Sequence, residues 1–257
     1  MVDNHLRGLI EEEKVAIGTR LINNWPGMVE VLAETDVFDY VEFLAEYGPW
    51  DLYDLENFTR TAELTELSSM IKIDGYNRKF IAQRAMAAGF QNFLFADIKT
   101  VEDAYECVDA VRSEPDGENG IRMDRRNKYV GSYNEDVVDF SNDAVIAIMV
   151  EKKECMGNID EILQVEGIDM ALFGPGDYSL SINKVGQKDS SDVVEAEKRM
   201  IEAALDHGVR PRAEIHYPSE AEYYKELGVR DFNLNTDLGI LHEWWLENGT
   251  DLTEIVK

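Results

Sequence analysis

Eight short runs rich in β-branched and aromatic residues punctuate the chain, at 15–21, 38–45, 69–73, 92–96, 144–150, 170–173, 210–215 and 231–235. Longer stretches with the apolar spacing of helices separate them. Regular alternation of this kind specifies parallel pairing, because each strand is reached through a helical crossover. Eight units in roughly 250 residues is the count of a closed (β/α)8 barrel. We therefore expect an α/β chain folded as a TIM barrel, with residues 1–257 forming one domain. A doubly wound open sheet is the competing arrangement. Its nucleotide-binding signatures are missing: no GxGxxG follows the first run, and no GxxxxGK[ST] occurs.

Local signals agree with the alternation. Pro26 opens a helix, and Leu52, Leu55, Phe58, Leu64 and Leu67 line another. Thr100 followed by Asp103 reads as a capping box. The helix before residue 208 closes on Gly208, and Ser219 with Gly228 repeats that start and stop. Residues 113–144 form the one long irregular stretch, expected after the fourth strand on the face where barrels keep their active sites.

With 52 acidic residues against 25 Lys and Arg, the net charge is −27. A field of that sign repels phosphate backbones and anionic lipid, so neither nucleic acid nor membrane is an expected partner. A small anionic substrate stays compatible, since a metal ion or one local cation reverses the potential inside a pocket. The two cysteines, Cys107 and Cys155, make neither a disulfide framework nor a zinc spacing. The N-terminal stretch has no basic-then-apolar signal, and no apolar run is long enough to span a bilayer. The expectation is a reduced, cytoplasmic protein.

Two acidic residues fall at adjacent strand ends. Glu151 follows the fifth run in "IAIMVEKKE", and Asp177 follows the sixth in "LFGPGDYS". Neighbouring carboxylates so placed can share one hard divalent cation, with water or a chelating substrate filling the other positions. Separately, each has a plain explanation: turn chemistry for Asp177, a helix N-terminus for Glu151. His5, His207, His216 and His242 are scattered, which argues against zinc; His216 alone follows a strand that could bring it to the mouth.

Stretches 18–63, 71–112 and 150–183 resemble the HpcH/HpaI aldolases, metal-dependent pyruvate aldolases of the phosphoenolpyruvate/pyruvate-binding barrel superfamily. The segment around "LFGPGDYS" carries the likeness most specifically, with the family's metal Glu and Asp falling on Glu151 and Asp177. The resemblance implies a Mg²⁺ or Mn²⁺ centre, with Co²⁺ as a third candidate. It implies a carbon–carbon lyase or aldol-type synthase that binds pyruvate or a related 2-oxo acid and joins its enolate to an aldehyde, or releases it by cleavage. Gly174 and Gly176, in the turn before Asp177, match the family's substrate contacts. It also implies a homo-oligomer, trimer or hexamer, exchanging the last helix, where Trp244 and Trp245 would pack; an ordinary helix closing its own barrel is the alternative.

Departures from the family pattern occur as a set. The catalytic His is Tyr47 in "LAEYG", the acid two residues before the retained Glu46 is Leu44, and the keto-acid Arg is Lys72 in "IKID". The partner-subunit Asp that supports the His falls on Ala87, and a Gln falls on Met149. A His base needs a carboxylate to hold its tautomer, and burying that carboxylate without the His is costly, so joint loss is coherent. Tyr47 and Lys72 become the expected catalytic pair, Tyr47 with a pKa lowered by the dication and by Lys72, and Lys72 also a substrate-binding group. Glu42, in phase with Leu44 and Glu46, reads either as the missing carboxylate or as a helix-facing salt bridge. Lys152 and Lys153 read as solvated, and Cys155 as a packed small residue. Two other readings stay open: a phosphoenolpyruvate-using or other bond-forming relative, with Arg122, Arg125 and Arg126 holding a phosphate or second carboxylate, and a metal- or keto-acid-binding protein without catalysis.

Overall fold

Each of the eight runs forms a strand, and every strand pairs in parallel with the next until β1 meets β8. The computed structural model describes residues 3–130 and 135–257. Its elements run α1 (His5–Glu11), β1 (Ala16–Leu21), α2 (Pro26–Ala33), β2 (Tyr40–Leu44), α3 (Leu52–Leu64), β3 (Ser68–Ile73), α4 (Arg78–Ala88), β4 (Asn92–Phe95), α5 (Val101–Val111) and α6 (Asp136–Asn142). There follow β5 (Val145–Val150), α7 (Lys153–Gly157), α8 (Ile159–Ile162), β6 (Met170–Phe173), α9 (Pro175–Ser181), α10 (Ser191–Asp206), β7 (Arg210–Ile215), α11 (Ala221–Glu226), β8 (Asp231–Thr236) and α12 (Asp237–Val256). No described helix is long and apolar enough to cross a membrane.

The strands bury both faces, which is why several read as continuous apolar runs. Outward residues such as Phe43, Ile71, Phe93 and Ile148 pack under the helices with Phe58, Ala85, Cys107 and Met200. Inward residues Tyr40, Met70, Leu94, Ala147 and Leu172 fill the barrel, closed from below by Leu6 of α1. Capping chemistry fixes the crossovers. Thr100 and Asp103 form the reciprocal box at α5, and Asp51 with Asp54 forms another at α3. Gly208 and Gly228 take positive φ after α10 and α11, conformations that suit glycine. Ser219 is no cap: it lies inside a 3-10 turn, and Glu220 instead accepts the Tyr217 N–H at 3.1 Å.

A charged layer lies above the apolar filling. Arg212 and Glu42 have fully buried side chains and meet at 2.5 Å. Asn233 donates to the same Glu42 oxygen at 3.2 Å. Glu214 is shared between Arg212 at 3.2 Å and Arg20 at 2.5 Å. Glu42 therefore points into the barrel, neither towards a helix nor into the mouth, and its charge is committed to Arg212.

The irregular segment is also displaced from its expected position. It follows α5 rather than β4, so it returns the chain to the lower, N-terminal face of the barrel. Arg125 pairs with Glu63 at 2.5 Å and donates to the Ala88 carbonyl at 3.0 Å, tying down the C-terminal ends of α3 and α4. Residues 131–134 of this segment lie outside the described residues.

Candidate active site

The C-terminal ends of β5 and β6 bring Glu151 and Asp177 to one place. Glu151 is the first residue after β5 and is 3% exposed. The Asp97 amide donates to its Oε1 at 2.8 Å, fixing the carboxylate. Gly174 makes room for it: a Cβ there would meet Glu151 Cβ at 2.8 Å and Oε2 at 3.0 Å. The Gly174 amide is itself spent on the Val150 carbonyl, at 3.0 Å. Pro175 then starts α9, which carries Asp177 in its first turn with the side chain half exposed. A Cβ at Gly176 would touch nothing within 4 Å, so open space lies before it.

One cation already stands among these groups. Lys152 Nζ lies 2.7 Å from Asp97 Oδ1, 3.8 Å from Asp177 Oδ1 and 3.9 Å from Glu151 Oε1. Lys152 is thus enclosed by carboxylates rather than solvated, whereas Lys153 is exposed. Its ammonium serves as a stand-in ion: the local donors attract positive charge, and they are all carboxylate oxygen. Such a set suits a hard dication and not zinc. Among the described residues no three His, Cys, Asp or Glu side chains close on one point as a metal cage. Any ion here would have two protein carboxylates and take its remaining ligands from water or substrate. Burial pushes the Glu151 carboxyl up to about 6, opposed by the Asp97 amide, Lys72 and Lys152 and reinforced by Asp177.

Lys72 faces this cluster from β3. It is 3% exposed, donates to Tyr47 Oη at 2.8 Å and pairs with Glu46 at 2.7 Å. Burial opposes its charge, but Tyr47, Glu214 and Glu46 outweigh burial and raise its pKa above the ordinary lysine value. Tyr47 moves opposite to expectation. Burial raises its pKa, Lys72 only partly offsets this, and Glu46 adds to the rise, so the group is a phenol at neutral pH. Leu44 sits beside Lys72 in register, and Leu44, Ala87 and Met149 are all buried without charge.

Other sequence candidates lie elsewhere. His216 is exposed, its backbone amide donating to Glu220. Arg122, Arg125 and Arg126 belong to the segment on the lower flank. Cys155 is buried, and burial pushes its thiol up to about 12, so it is no nucleophile. Sequence reasoning missed Arg20, Arg212, Glu214, Asp97 and the enclosure of Lys152. A signal existed for two of them, Arg212 and Glu214. Arg210, Arg212 and Glu214 alternate in "RPRAEI", and i, i+2 spacing puts charges on one face of a strand.

Comparison with known proteins adds to this geometry. The family model described as HpcH/HpaI aldolase/citrate lyase matches residues 33–229. A 5-keto-4-deoxy-D-glucarate aldolase of Shigella sonnei (strain Ss046) is 24% identical over 237 residues, which cover 92% of this chain and 92% of the relative. An HpcH/HpaI aldolase structure from Desulfitobacterium hafniense DCB-2 superposes with a TM-score of 0.89 at 23% identity, covering 97% of this chain and 96% of the other. The citrate synthase SbnG superposes with a TM-score of 0.86 at 21% identity, covering 99% of this chain and 100% of the other.

Proposed function

The chain belongs to the HpcH/HpaI aldolase/citrate lyase family, and on that premise we propose that it is a divalent-metal-dependent carbon–carbon lyase acting on pyruvate or a related 2-oxo acid. The observation that carries this is the convergence of Glu151 and Asp177, from consecutive strand ends, on a single cationic position held by Lys152. Glu151 and Asp177 would hold a dication (Mg²⁺ or Mn²⁺, with Co²⁺ as the third candidate), which would supply Lewis acidity to the bound 2-oxo acid.

The chain's own groups divide the remaining work. The Asp97 amide fixes Oε1 of Glu151 and leaves Oε2 as a ligand atom. Gly174 contributes space, and Gly176 presents a backbone amide in the first turn of α9, where helix amides lack partners within the helix. The Lys72 ammonium offsets negative charge developing on the keto oxygen, as a point charge without the planar fork of an arginine. Tyr47, hydrogen-bonded to Lys72 and protonated, gives its proton to the aldehyde oxygen as the carbon–carbon bond forms. In the cleavage direction Tyr47 first gives its own proton to solvent, and the tyrosinate then takes the proton of the aldol hydroxyl. The phosphoenolpyruvate reading keeps only the replaced base as support, because the three arginines invoked for a phosphate belong to the segment on the lower flank.

For the assembly, we infer exchange of the last helix from the surface of α12. Trp244, Trp245, Leu246 and Leu252 on this helix are each at least 60% exposed. A cleft of about 1040 Å³, lined by Val15, Ile17, Leu205, Ala221, Val229 and Phe232 among others, runs along the lower flank of β7, β8 and β1. An exposed apolar stripe on α12, and a cleft whose lining mixes these apolar residues with charged ones such as Glu13, Lys225 and Arg230, support exchange of α12 between copies in a trimer or hexamer.

The test of the activity is oxaloacetate decarboxylation together with exchange of the pyruvate methyl protons, each with Mg²⁺ or Mn²⁺. Absence of both, with Glu151→Ala changing nothing, would sink the proposal.

A further inference from the structure

The contacts that hold Lys152 do not use up its donors. An ammonium carries three N–H groups and accepts nothing. One is spent on Asp97, whose Oδ1 lies 2.7 Å from Nζ. The other two carboxylates nearby, Asp177 at 3.8 Å and Glu151 at 3.9 Å, stand beyond hydrogen-bond distance. Their pull on Lys152 is one of charge alone. Two N–H groups therefore have no acceptor in hydrogen-bond range among the described residues. The side chain is 21% exposed, so most of it is packed while a ligand in the mouth can still reach it.

The tether is itself fixed. Asp97 is the second residue after β4 and takes a φ of 59°, a left-handed conformation uncommon outside glycine. Its Oδ2 accepts the Gly75 amide at 3.3 Å, and its own amide holds Glu151 Oε1 at 2.8 Å. One residue thus presents its amide to a metal carboxylate and its carboxylate to Lys152. The ammonium is thereby set at a constant place beside Glu151 and Asp177.

A dication taking Glu151 and Asp177 would neutralise both and leave Lys152 its bond to Asp97. Lys152 and Asp97 are neutral as a pair, so what they add beside the ion is two unspent donors and not net charge. Lys152 is the one cation in ion-pair range of either metal carboxylate among the described residues. Lys72, by contrast, is committed to Tyr47 and Glu46, and serves the keto oxygen in the activity proposed. The polar end of a 2-oxo acid still to be answered is its carboxylate, and charge-assisted bonds to such a group are strong.

Taking Glu151 and Asp177 as the metal pair, on which this rests, we propose that Lys152, positioned by Asp97, binds the carboxylate of the 2-oxo acid through its free N–H groups. It is then a specificity-determining residue that favours ionised 2-oxo acids over their neutral esters. Because the ion weakens the pull of Glu151 and Asp177 on the ammonium, the acid binds best after the metal.

The test separates the ion from the acid. Electron paramagnetic resonance reads Mn²⁺ binding, and calorimetry at saturating Mn²⁺ reads binding of pyruvate and of methyl pyruvate. The full chain is compared with Lys152→Met, Lys152→Gln and, at the exposed neighbour, Lys153→Met, all at unchanged circular dichroism. Both Lys152 variants are expected to bind Mn²⁺ more tightly, since a positive charge is gone, and pyruvate about tenfold more weakly. The preference for pyruvate over methyl pyruvate should shrink by the same factor, and Lys153→Met should match the unaltered chain. A merely structural role would move both affinities the same way, so joint loss of Mn²⁺ and pyruvate in the Lys152 variants overturns the proposal. So does pyruvate binding that is undiminished in both variants while Mn²⁺ still binds, an outcome that leaves the metal pair standing. Absence of Mn²⁺ binding in the unaltered chain removes the metal pair itself, and this proposal with it.

Discussion

The ammonium of Lys152 rests 2.7 Å from the carboxylate of Asp97. That tether holds it within 4 Å of oxygens on both Glu151 and Asp177. A fixed positive charge at this range opposes an incoming dication while keeping three carboxylates compatible in its absence. Lys152→Met is therefore expected to tighten Mn²⁺ binding about tenfold and to lower Tm in metal-free buffer. Titration followed by electron paramagnetic resonance reads the first effect, and weaker binding in the variant would contradict this role.

Proton competition at Glu151 follows from its burial. Folding lifts its carboxyl from the ordinary 4.5 to about 6. A carboxyl raised on folding contributes stability below its unfolded value and loses that contribution as pH rises through the folded one. The metal-free protein thus loses stability from this group between about pH 4.5 and 6. Metal binding needs the ionised form. The rise in Tm caused by Mn²⁺ should be small at pH 4.5 and complete by pH 7.5, measured by scanning fluorimetry across that range.

Tyr47 and Lys72 are separable by choice of reaction. Cleaving an aldol requires proton transfer at the hydroxyl oxygen, whereas decarboxylating oxaloacetate does not. Tyr47→Phe should lower kcat for aldol cleavage by about 10²–10⁴ while leaving decarboxylation within a fewfold. Lys72→Met should depress both. Equal losses in the two reactions for Tyr47→Phe would remove the assigned proton transfer.

The Glu42–Arg212 pair inside the barrel sets a stability prediction. Arg212→Met strands the Glu42 carboxylate, which then has only Asn233 as partner, and should cost about 3–5 kcal/mol in urea denaturation. Adding Glu42→Leu should recover most of that loss, because an apolar pair of similar volume removes the buried charge.

Much of the barrel was legible because strand and helix periods are local. The run at 170–173 and the cap at Thr100 coincide with β6 and α5 as the structure has them. Glu151 and Asp177 were legible for a related reason, since a residue just beyond a parallel strand must sit at the mouth. What sequence could not carry is the partner of each charge. Lys152 looked solvated because its neighbours Asp97 and Asp177 come from the ends of β4 and β6. Glu42 reads in sequence as the missing carboxylate or a helix-facing salt bridge, and its partner Arg212 is hidden because it lies 170 residues away along the chain. Tyr47 was assigned a lowered pKa from its charged neighbour, but burial proved the larger effect. Residues 113–144 lie on the lower face and not at the mouth, because α5, whose cap at Thr100 is itself legible, carries the chain down from β4 before the segment begins.

The central claim is that Glu151 and Asp177 hold one dication together. Calorimetric titration of Mn²⁺ into the purified chain, with and without pyruvate, tests it directly. One ion per chain, tightened by pyruvate and lost in both Glu151→Gln and Asp177→Asn, is the predicted result. Binding that survives either substitution unchanged, or no binding in the unaltered chain, would contradict it.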